Sequence, residues 1–242
     1  MLRVGAKKNA NKGKRMTVAI RRTGLLRFAA CLIMGAGLLG RVWATDIREF
    51  IQETQQSSNE SQQLTLVWWI PAEFWDVSLA GNANVPPATA EEIRTVFHDY
   101  QVFALLHAKT GMAGLSGVST RADLLNNARF EIGAKAIAPL DSDKVPPGVQ
   151  TMLGAMRPML ANMLGQLGQS MELVVYPAMA DQHRLNDPLK PGNFQFTLYD
   201  QTFRWRTPLA SLLPKKVDPK SKEEFPGNYE FNPYTGAKLS VK

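Results

Sequence analysis

The sequence predicts a β-rich α+β protein, an antiparallel β-sandwich that carries a helical insertion. One run, residues 64–70, is apolar on both faces of an extended chain, which is typical of a strand covered on both sides. Two neighbouring segments, 194–199 and 203–206, alternate as the strands of a hairpin do, and one long helical pattern spans 147–168. The same periodicities also fit a second arrangement, a single antiparallel sheet with two helices on one face.

Residues 1–44 have the three parts of an export signal. A basic region precedes an apolar region, 28–39, and a small-residue exit predicts cleavage after Ala44. Three other interpretations stay open: an uncleaved membrane anchor, acylation at Cys31, and a twin-arginine signal at 21–22. The expected location is the periplasm or the outside of the cell.

Charge is divided unevenly between this leader and the rest of the chain. The whole sequence has 28 basic and 21 acidic residues, and the leader holds ten of the basic residues and no acidic one. Residues 45–242 therefore carry 18 basic against 21 acidic residues, a net charge of −3. Nucleic-acid binding is not expected, because that part lacks the positive balance such a partner needs. Cys31 is the only cysteine, so the part after the leader has no disulfide and no thiolate ligand.

Residues 45–63 are predicted to be a flexible lead-in, because they are rich in Gln, Ser, Glu and Asn and carry few apolar side chains. The globular β-rich domain is then expected at 64–213. Its first strand, 64–70, contains two tryptophans, and Pro71 ends it. A helical turn or bend at 73–76 should fold its rings back onto that strand.

The remaining elements follow from local patterns along the chain. The interpretation gives a helix at 90–97 with Thr89 as N-cap, strands at 100–107, 127–137 and 171–176, and the hairpin already described. Pro158 should kink the long helical pattern or split it in two.

The tail, residues 214–242, contains the most informative local pattern. Two segments, D-P-K-S from Asp218 and N-P-Y-T-G from Asn232, recur fourteen positions apart. Each begins with Asp or Asn before Pro and has a hydroxyl three positions on, at Ser221 and Thr235. The pattern predicts two Asx-type turns, each closed by hydrogen bonds to its hydroxyl.

This pair of turns resembles the two knuckles of a short zinc ribbon, C-P-x-C-G, with every cysteine position replaced. With its W-x-I-P-x-E-F-W segment and F-x-W-R-x-P-L hairpin, the chain also resembles uncharacterised exported bacterial proteins that have such a tail. The resemblance implies export and brings no known activity. Carboxylate, amide and hydroxyl groups in place of thiolates bind zinc poorly, so a tail without metal is expected.

Three sets of side chains are candidate sites. Glu73 and Asp76 are three positions apart beside Trp75 and could act as paired carboxylates on a sugar. Four methionines at helical spacing could ligate Cu(I): Met152, Met156, Met159 and Met163. Such spacing is more typical of core packing. Aromatic residues of the tail could form a partner-binding surface or could fasten the tail to the sandwich: Phe225, Tyr229, Phe231 and Tyr234.

Nucleophile and metal motifs are not visible in the sequence. Ser116 lies between glycines but lacks the strand-turn-helix setting of a nucleophile elbow. A hydrolase built from Ser116, with His98 or His183 and Asp99, would need these residues to meet by their placement in the fold. No histidine pair has the spacing of metal ligands.

These observations favour an exported protein without a cofactor that acts by binding or by structural association in the cell envelope. Its expected partner is a protein or another envelope component, and the membrane is involved only if the leader stays attached or is acylated. The alternative is an envelope hydrolase that acts on carbohydrate or ester and uses Glu73 or Asp76.

Overall fold

The computed structural model describes residues 46–80, 85–112 and 114–241. The predicted leader, with Cys31, lies outside the described residues. The helices are α1 (Ile47–Thr54), α2 (Glu73–Leu79), α3 (Pro87–Phe97), α4 (Arg121–Asn126), α5 (Pro147–Leu164) and α6 (Gln166–Ser170), with a short 3-10 helix at Ala210–Leu212. The strands are β1 (Gln55–Glu60), β2 (Gln63–Ile70), β3 (Tyr100–Gly111), β4 (Gly114–Ser116), β5 (Ala128–Ile132), β6 (Lys135–Ile137), β7 (Glu172–Pro177), β8 (Met179–Ala180), β9 (His183–Arg184), β10 (Gly192–Leu198), β11 (Gln201–Thr207), β12 (Lys216–Val217), β13 (Glu224–Phe225) and β14 (Ser240–Val241).

Two antiparallel sheets form the body of the protein. The first has the order β1-β2-β3, and the far edge of the long strand β3 pairs with β7 over one part and with β4 over another. The second has the order β11-β10-β5-β6. Strand β2 pairs along its whole length with β3, from Gln63 opposite Lys109 to Ile70 opposite Val102.

Aromatic rings fill the space between the two sheets. Trp69 of the first sheet meets Phe194 of the second edge to face, with ring centroids 4.7 Å apart. Phe103 of β3 lies 5.0 Å from Phe130 and 4.7 Å from Phe196, both of the second sheet. Such pairs stabilise a core beyond the area they bury. The sheets therefore pack face to face as a sandwich.

Helices cover the other face of the first sheet. Trp68, next to Trp69 on β2, points the opposite way and meets Phe74 of α2 at 5.6 Å. Trp75 of the same helix stacks on Phe97 of α3 at 4.6 Å. Strand β2 is thus covered on both sides, which explains why both of its faces are apolar. The β-rich α+β class is confirmed, and the single-sheet arrangement is wrong, because the strands divide between two sheets.

The segment predicted as a flexible lead-in is instead ordered structure. Asp46 caps α1 by accepting a hydrogen bond from the backbone N–H of Arg48 at 2.9 Å, and β1 pairs with β2 along six residues. Phe50 is fully buried in the core. The polar composition misled the prediction, because the buried residues Phe50 and Thr54 and the pairing with β2 anchor this segment.

Three further boundaries differ from the predictions. Helix α3 begins at Pro87, so Thr89 lies inside the helix and does not cap it. Helix α5 runs through Pro158 and ends at Leu164, where Gly165 adopts a φ of 58° that suits glycine. The strand predicted at 127–137 is two strands, β5 and β6, that turn back at Gly133. In α5, the missing N–H of Pro158 costs one hydrogen bond within a long helix that is packed on the core.

The tail adds a small three-stranded sheet in the order β13-β12-β14. It lies against the body at Gly227, where an added Cβ would come within 2.5 Å of the Leu213 Cβ. Asn228 Nδ2 also donates to the Pro208 carbonyl at 3.3 Å. None of the helices in the described part of the chain combines the length and apolar character needed to cross a membrane.

Candidate functional site in the C-terminal tail

The first turn of the tail is organised by Asp218. Its Oδ1 accepts hydrogen bonds from the backbone N–H groups of Lys220 at 2.8 Å and Ser221 at 3.0 Å. Ser221 Oγ in turn accepts from the Glu223 N–H at 3.3 Å. The Lys222 N–H returns to the Asp218 carbonyl at 3.0 Å, and Lys222 has a φ of 63°. This is the Asx-type turn that the sequence predicts.

The second turn repeats the first bond by bond. Asn232 Oδ1 accepts from the backbone N–H groups of Tyr234 at 2.9 Å and Thr235 at 3.3 Å. Thr235 Oγ1 accepts from Ala237 N–H at 3.3 Å, and the Gly236 N–H returns to the Asn232 carbonyl at 2.8 Å. Gly236 has a φ of 70°, matching the fifth residue of the first turn. Both predicted turns are therefore confirmed.

The two turns are joined by their leading side chains. Asn232 Nδ2 donates to Asp218 Oδ2 at 2.7 Å, and the two residues are only 3% and 2% exposed. The bond from Asn232, followed by those from the N–H groups of Ser221 and Lys220, holds the pKa of the Asp218 carboxyl below its ordinary value. We call these residues, Asp218, Ser221, Asn232 and Thr235, the polar box.

The oxygen atoms of the polar box already accept hydrogen bonds from the chain. A cation at its centre would have to displace the Asn232 amide and compete with backbone N–H groups that point at the same oxygens. Across the described ranges, no group of three or more His, Cys, Asp or Glu residues is placed to hold a metal ion. The chemistry of the polar box is therefore suited to holding the two turns together.

The four aromatic residues named in the tail have different roles. Phe225 is buried, as is Leu239, and each lies seven positions after the first residue of its turn. Phe225 is thus not part of an exposed surface. The other three rings are exposed: Tyr229 by 42%, Phe231 by 54% and Tyr234 by 83%. We call these three the tail rings.

The carboxylates proposed for catalysis are each held by an arginine. Glu73, 14% exposed, forms a two-point ion pair with Arg184 of β9, whose Nη2 lies 3.0 Å from Oε2. Asp76 pairs with Arg94 of α3. Arginine thus occupies both Glu73 oxygens, so the structure does not present Glu73 and Asp76 as two free carboxylates facing one substrate.

The other residues of the hydrolase hypothesis are also engaged separately. His98 Nδ1 lies 2.7 Å from Asp99 Oδ1 on an exposed surface. His183 Nδ1 lies 2.7 Å from the Asp181 carbonyl in the turn between β8 and β9. Among the hydrogen bonds of the described residues, none joins Ser116 of β4 to either histidine. These residues form no nucleophile and base pair.

The methionines proposed as Cu(I) ligands lie along α5 with different exposures. Met156 and Met159 are buried, Met152 is half-buried, and Met163 is exposed. Met156 and Met152 pack on the main hydrophobic core. The burial of Met156 and Met159 is typical of helix packing, the more common role of methionines at this spacing.

Sequence reasoning missed a cluster at one end of the sandwich. His107 of β3 stacks on Tyr199, with ring centroids 4.0 Å apart and an interplanar angle of 25°. Tyr199 lies in the turn between β10 and β11 and has a φ of 54°, which is uncommon for a large side chain. The hairpin strands were predicted at 194–199 and 203–206, whereas in the structure Tyr199 and Asp200 form the two-residue connection between β10 and β11.

Comparison with protein-family models, with curated proteins and with solved structures gives no match. The geometry of the chain itself is therefore the basis for a functional proposal.

Proposed function

We propose that the protein is exported to the periplasm or the cell exterior and acts there without catalysis, by binding a protein or another envelope component through the tail rings. The observation that carries the proposal is the exposure of Tyr229, Phe231 and Tyr234 on a tail whose backbone is fixed by the polar box. The export signal predicted at residues 1–44 supports the location.

Rigid display of aromatic rings favours binding. Tyrosine and phenylalanine contribute large contact areas and are enriched at protein interfaces, and tyrosine is enriched among the residues that dominate binding energy. Tyr234 belongs to the Asn232 turn, and Phe231 forms a backbone bridge with Lys238 on the other side of it. Because the backbone that presents these rings is already ordered, binding would cost little additional conformational entropy.

The resemblance of the tail to a zinc ribbon belongs to the same proposal. In a ribbon, metal ligation fixes two turns; here the bond between Asp218 and Asn232 joins the two turns at the corresponding positions. We regard the tail as a counterpart of a zinc ribbon in which hydrogen bonds replace the metal. Such a tail would display its rings whether or not zinc is present.

The hydrolase alternative receives no comparable support. It needs Glu73 or Asp76 to be available for proton transfer or nucleophilic attack, whereas both carboxylates are paired with arginine.

The binding proposal is tested by capture from envelope extract with the chain beginning at Thr45. The test variant carries Y229S, F231S and Y234S, and the control carries L189S, which changes an apolar residue of similar exposure on the body. We expect one or more components to be retained by the wild type and by the control, and lost by the triple variant. Identical capture by all three proteins would refute binding through the tail rings.

The location is tested separately, by sequencing the N-terminus of native protein from cell fractions. A protein that begins at Thr45 in the periplasmic or extracellular fraction is the expected result. Material in the cytosolic fraction that retains residues before Thr45 would contradict export.

A further inference from the structure

The outer face of the second sheet is open to solvent along strand β11. Phe203 and Trp205 point into the core between the sheets and are buried. Because side chains alternate along a strand, Arg204 and Arg206 point outward, and both are exposed. Helices cover the corresponding outer face of the first sheet. The outer face of the second sheet is therefore a surface that a partner can reach.

This face is basic on a chain that is otherwise mildly acidic. The charged side chains at the outward positions of its strands are Arg129 and Glu131 of β5 and Arg204 and Arg206 of β11. Three basic and one acidic side chain give a net charge of +2, whereas residues 45–242 as a whole carry −3. We call Arg129, Arg204 and Arg206 the arginine face.

Glu131 is not free to pair with Arg204 or Arg206. Its Oε1 lies 2.8 Å from Arg129 Nη2, and its Oε2 accepts from Gln195 Nε2 at 2.9 Å. The register of the sheet also places Gln195 between Glu131 and Arg204. In the described part of the chain, neither the Arg204 nor the Arg206 side chain has an ion pair or a hydrogen bond. Both guanidinium groups are thus available to a ligand.

The strand register gives the two free arginines neutral neighbours. Gln195 lies opposite Arg204, and Asn193 lies opposite Arg206. An acidic residue at these positions would stabilise the sheet, whereas two like charges about 7 Å apart along one strand repel each other. The arrangement therefore lacks countercharges within the protein, and an anionic partner would supply them. Charge on an edge strand also hinders aggregation, but that role needs no pair of free arginines.

The other outward side chains indicate what kind of anion fits. Guanidinium groups bind carboxylates through paired hydrogen bonds. Amide and hydroxyl groups beside them can bond to the hydroxyl groups of a sugar: Asn193, Gln195, Thr197 and Thr202. The outward positions of these strands hold no aromatic or large apolar side chain. Single-stranded nucleic acids, protein partners and bilayers are generally bound with such side chains, so a hydrated polymer fits better.

We propose that the arginine face binds an acidic polysaccharide, with Arg204 and Arg206 paired to carboxylates of nearby sugar units. The ring of Trp205, between the two arginines in sequence, stacks on Phe194 with centroids 5.2 Å apart, so the strand that presents them is fixed from behind. Arg129 keeps the Glu131 carboxylate occupied. The inference rests on the proposed export only for where such a polymer would be met, and it does not use the tail rings.

The test is binding of alginate, a polymer of uronic acids, to the chain beginning at Thr45, at about 0.05 M and about 0.15 M salt. We expect wild-type binding that weakens with salt, and no binding of the neutral polysaccharide dextran. The R204Q/R206Q variant should bind alginate roughly tenfold more weakly or less. The control R48Q/K144Q, which removes two exposed positive charges elsewhere, should bind as the wild type does.

Tryptophan fluorescence checks that each variant is folded. If R204Q/R206Q does not fold, the single variant R206Q is compared in the same way. The variant Y229S/F231S/Y234S should bind alginate as the wild type does, so this proposal and the one for the tail rings fail independently.

Absence of alginate binding by the wild type, equal binding of dextran, or an equal loss in R48Q/K144Q would overturn the proposal. Binding of single-stranded DNA or of phosphatidylglycerol vesicles as tight as that of alginate would also overturn it, because a nucleic acid or a membrane would then be the better partner.

Discussion

At the scale of single residues, the polar box depends on a match between one acceptor and one donor. Asp218 Oδ2 accepts, and Asn232 Nδ2 donates, while the other atom of each side chain accepts from its own turn. The Asn232 amide cannot be reversed without losing its bonds to the backbone and to Asp218, whereas both oxygens of Asp218 accept. The polar box therefore requires an acceptor at position 218 and a donor at position 232, although Asp and Asn differ only in one oxygen or NH2 group.

The swap of these two residues is a sharp test. D218N should place an amide NH2 against the Asn232 NH2, and N232D should place two carboxylates together, so each variant should weaken the tail. The double variant D218N/N232D restores one donor and one acceptor and should recover most of the loss. Amide exchange of Gly236 and Leu239 measures the effect, and zinc content is determined on the same samples.

Equal exchange in the single and double variants would contradict this account of the polar box. Stoichiometric zinc in the wild type that is lost in the single variants would show that a metal, and not the hydrogen bond, joins the turns.

The ion pair of Glu73 with Arg184 makes a second prediction at this scale. Both side chains are largely buried, at 14% exposure for Glu73 and 24% for Arg184. Both bonds to Glu73 come from the Nη atoms of Arg184, and its buried Nε has no hydrogen-bond partner among the described residues. E73Q removes the carboxylate that is hydrogen-bonded to the guanidinium, on which Asp187 still acts electrostatically, and should lower the free energy of unfolding by about 1–3 kcal/mol. The measurement is urea denaturation of the chain beginning at Thr45.

The matched control is D76N, three positions further on. Its pair with Arg94 is about half exposed, so this variant should stay close to the wild type. If E73Q is as stable as D76N, the pair with Arg184 does not stabilise the fold. Glu73 would then again be a candidate catalytic residue.

The residue-scale predictions from sequence succeeded where the contacts are local. The turns at Asp218 and Asn232 are fixed within five positions of each leading residue, so the sequence contains the whole signal. The partners of Glu73 and Tyr199 could not be foreseen in this way. Arg184 is 111 positions from Glu73, and His107 is 92 positions before Tyr199, and only the fold brings them together.

At the scale of elements, α1 joins the two sheets through its last residue. Thr54 Oγ1 accepts from Trp68 Nε1 at 3.1 Å and donates to the Phe50 carbonyl at 2.9 Å. The Thr54 carbonyl accepts from Trp205 Nε1 of the second sheet, also at 3.1 Å. One buried threonine thus serves an indole from each sheet, which explains why a polar segment is ordered.

This junction predicts a clear cost for T54V. Valine keeps the shape of threonine but leaves the buried Trp68 N–H without an acceptor, so the free energy of unfolding should fall by about 1–3 kcal/mol. Chemical denaturation provides the value. The control T202V removes a hydroxyl from an exposed pair with Thr197 and should have little effect. A T54V protein as stable as T202V would show that the hydroxyl is dispensable.

At the scale of the whole molecule, the sequence predicted the class of fold better than its layers. An apolar strand at 64–70 indicated cover on both sides, and the structure provides it with a second sheet on one side and helices on the other. What could not be predicted was the division of strands between sheets, because pairing such as β10 with β5 joins residues more than sixty positions apart. Periodicity identifies the faces of a strand and does not identify its neighbours.

The placement of the tryptophans has a consequence for spectroscopy. Four of them, Trp68, Trp69, Trp75 and Trp205, lie in the described residues, and all are buried in the two layers around β2 or between the sheets. Intrinsic fluorescence of the chain beginning at Thr45 should therefore shift to longer wavelength when the sandwich melts. Tryptophan fluorescence should not report opening of the tail, because residues 214–242 contain tyrosines and no tryptophan.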